Sequence, residues 1–329
     1  MTQKYQLERV NCLVCDSHQT SIFLENVKEL YNNMDEFFNL EECNQCSFVY
    51  TNPRPTLDTI GYFYPDSAGY FHPPHEKEFE LFKKNSLKGS LLKSYLAKRL
   101  NYPFESNFRF CPSFIFARKS KLMHIPTYVK DGNLLDIGCS SGLYLKRMEL
   151  LKWNTYGLES NSRAATHAQT LLKTGKIINQ NFSKGIYPEN MFDVVHMSMV
   201  LEHLHDPKSA LLEIRKILKP GGELILSVPN ILGLELTIHK KYAYTLQVPE
   251  HVSHFSPQTL QKLLDSTGFK NAQFIFESFD RDLVSPMVYK GKILNSVFHN
   301  KLFRKFLIKP FLILMAQLGK TSRMCVYSH

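Results

Sequence analysis

The 329-residue chain is 43% hydrophobic and 21% charged, the composition of an ordinary globular protein rather than a disordered or fibrous one. Its length suits one large domain with a smaller one beside it. Seven cysteines in a chain this long follow no disulfide-scaffold pattern, so a reducing cytoplasm is the expected compartment, and the net charge of +10 points to anionic partners.

The first segment, residues 1–52, opens on a polar stretch, Met1–Val10, without the apolar run of a secretory leader. Two knuckles follow, Cys12-Leu13-Val14-Cys15 and Cys43-Asn44-Gln45-Cys46, separated by about 27 residues. That spacing lets Cys12, Cys15, Cys43 and Cys46 share one tetrahedral ion, and thiolates select Zn2+ over hard cations. Four protein ligands leave no open coordination position, so the expected Zn2+ is structural. Neither pair opens a helix in a thioredoxin-like βαβ unit, which disfavours redox chemistry. Cys111, Cys139 and Cys325 are read as bystanders.

Residues 53–130 form a connecting segment. Asn52-Pro53-Arg54-Pro55 and Tyr62-Phe63-Tyr64-Pro65 punctuate its start, and basic-apolar helix patterns follow. Between Lys83 and Lys121 stand ten Lys and Arg residues against Glu105 alone. Such texture suits an anionic membrane surface or an anionic, lipid-linked substrate, or else a solvated basic face on packed helices.

From Asp131 onward, short β-rich runs alternate with helical runs, which implies βαβ units and a mostly parallel sheet. The predicted strands are Leu134–Ile137, Thr155–Leu158, Lys176–Ile178, Val194–Met197, Glu223–Val228, Ala272–Phe276 and Met324–Ser328. Helices are predicted at Gly142–Leu151 and Pro207–Leu218, the latter stopped by Lys219-Pro220-Gly221-Gly222. After the first strand, Asp136-Ile137-Gly138-Cys139-Ser140-Ser141-Gly142 reads as a small-residue turn into a helix N-terminus. There a ligand can approach the backbone and meet unpaired N–H groups. Glu159 ends the second strand, where a carboxylate can hold two ribose hydroxyls.

This turn resembles motif I of the class I S-adenosylmethionine (SAM)-dependent methyltransferases, Asp-x-Gly-x-Gly-x-Gly, with Ser140 in place of the middle glycine. The resemblance implies that Asp136, Gly138, Ser140 and Gly142 surround the methionine part of SAM and that Glu159 takes the ribose. The run Phe192 to Pro207 looks like the superfamily's fourth-strand motif, especially that of ubiquinone-pathway O-methyltransferases. By that likeness Ser198 or Met197 flanks the SAM methionine, and Asn181 and Phe182 lie near the adenine. Leu218 to Asn230 matches the passage into the fifth strand. Strand-end placement of Asp136, Glu159, Ser198 and Asn230 agrees with where open α/β sheets bind ligands. The likeness spans about Gly132 to Phe276 and the final strand. It implies a seven-stranded, mostly parallel Rossmann-like sheet with helices on both faces, in a domain of residues 131–329. The cysteine segment is similar to the N-terminal zinc module of bacterial methyltransferases of surface-polysaccharide and sugar pathways.

Two features remain. Gln247 to Pro257 carries His251 and His254 in a loop expected to cover the strand ends, before a helix capped by Ser256 and Pro257. Methyl transfer to a hydroxyl needs alignment and proton removal, a task suited to histidine. His251 and His254 are therefore candidate bases, the alternative being that they hydrogen-bond the loop to the sheet. A metal set of Glu250, His251 and His254 lacks a further ligand, and His203 is read as structural. A helical insertion of about residues 281–321 carries basic and apolar residues, and Arg281–His329 holds nine Lys and Arg against Asp282 alone. Its longest apolar stretch, Phe306–Leu318, is broken by Lys309 and Pro310 and is shorter than the ~20 residues of a bilayer span. The insertion suits a lid, a dimer contact, or peripheral association with the inner face of a membrane. The leading expectation is O-methylation of a sugar or lipid-linked glycan intermediate. The alternatives are C-methylation of a keto-sugar nucleotide, quinone-pathway O-methylation, a degenerate SAM-binding scaffold and a zinc-containing nucleic-acid binder. The basic stretches lack a base-reading motif, which disfavours the last.

Overall fold

The structure, a computed structural model, describes residues 4–32, 34–64, 87–105, 124–277 and 301–329. Cys111, most of the basic stretch Lys83–Lys121, and the part of the insertion before residue 301 lie outside the described residues. The chain divides into two compact units. One comprises Met1–Asp66, Met199–Leu212 and Ser227–Val326, and the other Ser67–Ser198, Glu213–Leu226 and Tyr327–His329.

In the first unit, β1 (Leu7–Glu8) precedes β2 (Thr20–Lys28), β3 (Phe37–Cys43), β4 (Val49–Thr51) and β5 (Arg54–Pro55). β2 and β3 form an antiparallel hairpin with register shifts at Ile22/Leu24 and Leu24/Val27, β3 pairs with β4, and β1 pairs with β5. Val27, Phe38, Leu40 and Val49 bury their side chains in one core with Phe63, Ile231, Leu246 and Val248. The cysteine hairpin is therefore closed by residues some 200 positions downstream.

In the second unit, after α1 (Leu87–Leu100), come β6 (Asn133–Ile137), α2 (Leu143–Leu150), β7 (Asn154–Leu158), α3 (Ser162–Leu171), β8 (Lys176–Ile178) and β9 (Phe192–Ser198). β6 pairs in parallel with β7 and β9, and β7 with β8. Leu134, Leu135, Ile137, Val194, Val195 and Met197 are buried without alternation, as parallel strands covered on both faces require. Gly157 lets α2 lie close on β7: a Cβ there would stand 2.7 Å from Leu145 and 2.8 Å from the Cys139 sulfur.

α4 (Pro207–Ile217) leads into β10 (Leu218–Pro229), followed by α5 (Leu234–His239), β11 (Ser253–His254), α6 (Pro257–Ser266), β12 (Gln273–Phe276), α7 (Lys309–Gln317) and β13 (Arg323–Ser328). The seven-stranded sheet has the order β12-β13-β10-β9-β6-β7-β8, and all seven predicted strands take part. β10 begins earlier than predicted, because the Pro-Gly-Gly passage stays within the strand and Gly221, at a φ of +77°, absorbs the bend. Among the described residues no helix is long and apolar enough to cross a membrane.

Candidate active site and metal centres

β6 ends on Ile137, and the chain turns through Gly138–Gly142 into α2. Gly138, Ser140 and Gly142 have φ values of +73°, +46° and +77°. The N–H groups of Gly138 and Cys139 donate to the Leu158 carbonyl and that of Gly142 to the Cys139 carbonyl, so the unpaired donors expected at this turn are largely taken up within the protein. Gly142 must be glycine for two reasons, its φ and its position 2.9 Å (from a built Cβ) to the Cβ of Ala168 on α3. Ser140 is exposed, so its side chain does not fill the turn.

Glu159 directly follows β7. Its Oε2 accepts the Ser140 N–H at 2.8 Å and its Oε1 the Asn161 N–H at 2.8 Å. Asn161 in turn caps α3 by accepting the Ala164 N–H. The carboxylate thus stands fixed at the ends of two adjacent parallel strands, beside the turn. A ribose diol needs an acidic acceptor beside a turn of small residues, and Glu159 fits that part of SAM, while the turn offers close backbone approach rather than a set of free N–H groups. Ser198 closes β9 half-buried, Met197 is fully buried in the sheet, and Asn181 is exposed in the turn after β8. Asn230 is a brace, donating to the Gly319 and Thr321 carbonyls while its Oδ1 accepts the Leu232 N–H.

Asp136, expected beside the methionine part of SAM, sits at the buried end of β6 and is hydrogen-bonded to His196. It is 3% exposed, and its Oδ1 lies 2.6 Å from Nδ1 of His196. A carboxylate only accepts, so His196 Nδ1–H donates, and its Nε2 accepts from Nδ1 of His124 at 2.8 Å. Tyr144 stacks on His196 with ring centroids 3.8 Å apart and donates its hydroxyl to the His124 carbonyl. Burial lowers the pKa of His196, and Asp136 opposes that shift. Sequence reading missed this network. Its signal was a lone histidine inside Val194-Val195-His196-Met197, since a polar residue in a doubly covered strand requires a buried partner.

The four cysteines come together as the spacing predicts. All four sulfurs lie within 4.8 Å of one another, with Cys12–Cys46 at 3.4 Å and Cys15–Cys43 at 3.5 Å. These separations exceed a disulfide bond and approach the ~3.8 Å edge of a tetrahedron with 2.3 Å metal–sulfur bonds. The knuckles repeat one another: Cys12 N–H to Ser17 and Cys43 N–H to Phe48, with Asp16 and Ser47 at positive φ. Burial works against the Cys43 thiolate, but N–H groups of Cys46 and Gln45 outweigh it and lower its pKa to about 7.

The histidine loop differs from expectation. Ser253–His254 forms β11 and pairs antiparallel with β4, Ser253 opposite Tyr50 and His254 opposite Val49. The four-stranded sheet β11-β4-β3-β2 therefore includes this loop. His251 is 2% exposed and His254 4%. His254 Nε2 sits 3.4 Å from the Thr51 hydroxyl, and burial lowers its pKa to about 3. His251 Nδ1 lies 2.9 Å from the Thr245 carbonyl, and burial holds its pKa well below the usual value. The rings are neutral and buried within this sheet unit, as in the alternative reading that they hydrogen-bond the loop to the sheet. Phe255, also fully buried, packs against Phe48.

With this fold and turn, the architecture is that of a class I SAM-dependent methyltransferase. Residues 109–273, half of the chain, match the family described as "Methyltransferase domain", and the chain belongs to that family. An uncharacterized methyltransferase of Schizosaccharomyces pombe is 31% identical over 117 residues, covering 32% of this chain and 42% of its own. The ubiquinone biosynthesis O-methyltransferase of Cereibacter sphaeroides is 29% identical over 168 residues, 50% of this chain and 64% of its own. These matches span less than two thirds of either relative. A crystal structure of an S-adenosylmethionine-dependent methyltransferase from Mesorhizobium loti superposes on 61% of this chain and 91% of its own, at 14% identity and a TM-score of 0.43.

Proposed function

We propose that this chain transfers the methyl group of SAM to a hydroxyl oxygen of a sugar or lipid-linked glycan intermediate, with a structural Zn2+ on its four cysteines. The observation that carries the cofactor assignment is the Gly138–Gly142 turn with the Glu159 carboxylate hydrogen-bonded to Ser140 and Asn161 at its rim. When bound, SAM supplies an electrophilic methyl group on a sulfonium. The small residues of the turn admit the amino-acid end close to the backbone, and Glu159 accepts from the ribose hydroxyls. Asp136 and His196 stiffen the strand ends from below, so little reorganisation is needed on binding. A tetrathiolate Zn2+ has no open position and fixes the hairpin rather than taking part in chemistry.

The oxygen acceptor is favoured by the name of the Cereibacter relative, an O-methyltransferase, and the glycan class by the resemblance of the cysteine segment to sugar-pathway modules. The same relative's name favours a second reading, O-methylation of a quinone precursor. Calorimetry tests the cofactor: wild-type protein should bind SAM, and Glu159→Ala should weaken that binding at least about tenfold, the loss of a charge-assisted hydrogen-bond pair. Unchanged affinity in Glu159→Ala would remove the ribose assignment. Incubating lysate with methyl-tritiated SAM then separates the acceptors. Label in nucleotide-sugar or butanol-extractable glycan fractions supports the first reading, and label in the apolar quinol fraction the second.

A further inference from the structure

We propose that Glu202, His203 and His251 form a second metal site, for a borderline divalent ion such as Zn2+, separate from the four cysteines. One ligand atom from each lies within 4.8 Å of the others. Glu202 and His203 form part of a short 3-10 turn, Leu201–His203, and His251 arrives on the loop before β11. The Val252 N–H donates to the Glu202 carbonyl at 3.0 Å, tying the two segments together.

Three observations converge. First, Glu202 is 0% exposed and neither carboxylate oxygen has a hydrogen-bond partner. Arg323 acts on it only through its field. An ionised carboxylate in that position costs several kcal/mol without compensation. Second, both imidazoles present the same nitrogen to backbone carbonyls. His251 Nδ1 faces the Thr245 carbonyl at 2.9 Å, and His203 Nδ1 faces the Glu250 carbonyl at 3.0 Å, with the Tyr64 hydroxyl 2.8 Å away. A carbonyl can only accept, so Nδ1 carries the proton on each ring and Nε2 keeps its lone pair. This outer hydrogen bond is how proteins fix the tautomer and aim of metal-bound histidines. Third, the two rings meet edge to face with centroids 4.6 Å apart.

The result is a fully buried carboxylate without a partner, beside one buried and one half-buried imidazole that each keep a lone pair. A metal ion relieves that arrangement, while a proton held between Glu202 and one ring and a bridging water are the outcomes that the test separates from it. Two imidazoles and one carboxylate suit borderline first-row ions, and three protein ligands leave a position for water or a substrate oxygen. His254 and Glu250, the loop's other potential metal ligands, are not part of the cluster. His254 is 6.4 Å from His251 by ring centroids, and the Glu250 Oε1 accepts from Asn32.

The test is a Co2+ titration of full-length protein stripped of metal, followed by absorbance and by elemental analysis. Thiolate-bound Co2+ shows an intense near-ultraviolet sulfur-to-metal charge-transfer band, whereas a nitrogen-and-oxygen site shows only weak visible bands. We expect one equivalent to bind without charge transfer, and Glu202→Gln, isosteric and uncharged, to lose that equivalent while keeping its circular dichroism. Wild-type protein that takes up only thiolate-bound ion would overturn the site, as would a folded Glu202→Gln that keeps the second equivalent. Were the variant to misfold, the wild-type spectra alone decide between the two outcomes. Neither readout depends on SAM binding or turnover, so the proposal stands or falls apart from the methyl-transfer reading.

Discussion

The four cysteines and the Glu202–His203–His251 cluster lie in the same compact unit, and both gather ligand atoms within 4.8 Å. They are built differently. Each Cys-x-x-Cys pair is preformed by a tight turn with a left-handed residue after its second cysteine, and one hairpin brings the two turns together. The second cluster joins residues 48 and 49 positions apart, held together by the Val252–Glu202 and His203–Glu250 hydrogen bonds. Spacing in the chain predicts the first and cannot predict the second. Local geometry writes a ligand set into sequence, whereas tertiary geometry writes it into pairing.

Breaking the local site should have the largest effect. If the four cysteines hold the proposed ion, Cys43→Ser removes one of its ligands and the folding energy its binding supplies, and should cost more than ~4 kcal/mol. Because β3 ends at Cys43 and β4 carries β11, loss of protection from hydrogen exchange should reach Val252 and Phe255 as well as the hairpin. Exchange confined to residues 12–46 would show instead that the two clusters are energetically separate.

Next comes Gly142→Ala in the cofactor turn. The new Cβ would lie 2.9 Å from the Ala168 Cβ and 3.0 Å from its Cα, in a backbone at φ +77°. Strain and crowding together should cost ~2–4 kcal/mol in urea unfolding. SAM affinity should fall as well. A variant as stable as wild type would mean that α2 and α3 can separate without penalty.

Legibility follows the same division. The glycine turn, Glu159, the knuckles, seven strands and the Ser256-Pro257 helix start were all readable, because each is set by neighbours within a few residues. His251 and His254 were found as residues, but the pairing of Ser253 and His254 with Tyr50 and Val49 was not, since nothing near them in sequence names those strand partners. Asp136 was found by motif, but its hydrogen bond to His196 was not, because His196 reaches it across paired strands. Glu202 was passed over. Its signal, a carboxylate with no partner, exists only in three dimensions.

Glu149 offers a pH-resolved version of a tertiary contact. It lies on α2, accepts the Lys146 ammonium at 2.7 Å, and collects N–H groups from Lys173, Thr174 and Gly175 before β8. Burial opposes its ionised form, yet these donors prevail and lower its pKa to about 2. A depressed carboxyl stabilises the fold above its ordinary pKa, and that stability is lost as pH falls through the folded value. The stability gap between wild type and Glu149→Gln should therefore be full at neutral pH, shrink below ~4.3, and close near 2. A gap independent of pH would assign the difference to packing.

The smallest effect tests the helix after the histidine loop. Ser256 accepts the Thr259 N–H at 3.2 Å, and the Thr259 hydroxyl accepts the Ser256 N–H at 2.9 Å, a reciprocal cap with threonine where glutamate is more usual. Ser256 is 7% exposed, so water cannot readily replace the lost acceptor. Ser256→Ala should cost ~1 kcal/mol, and Ser256→Asn, which keeps an acceptor, should recover part of it if the pocket admits the larger side chain. Because the cap lies two residues beyond β11, the alanine variant also measures whether a local defect spreads. A Co2+ titration unchanged from wild type would confine the damage to α6. Loss of the weakly absorbing equivalent would mean that the helix start helps hold His251 in place.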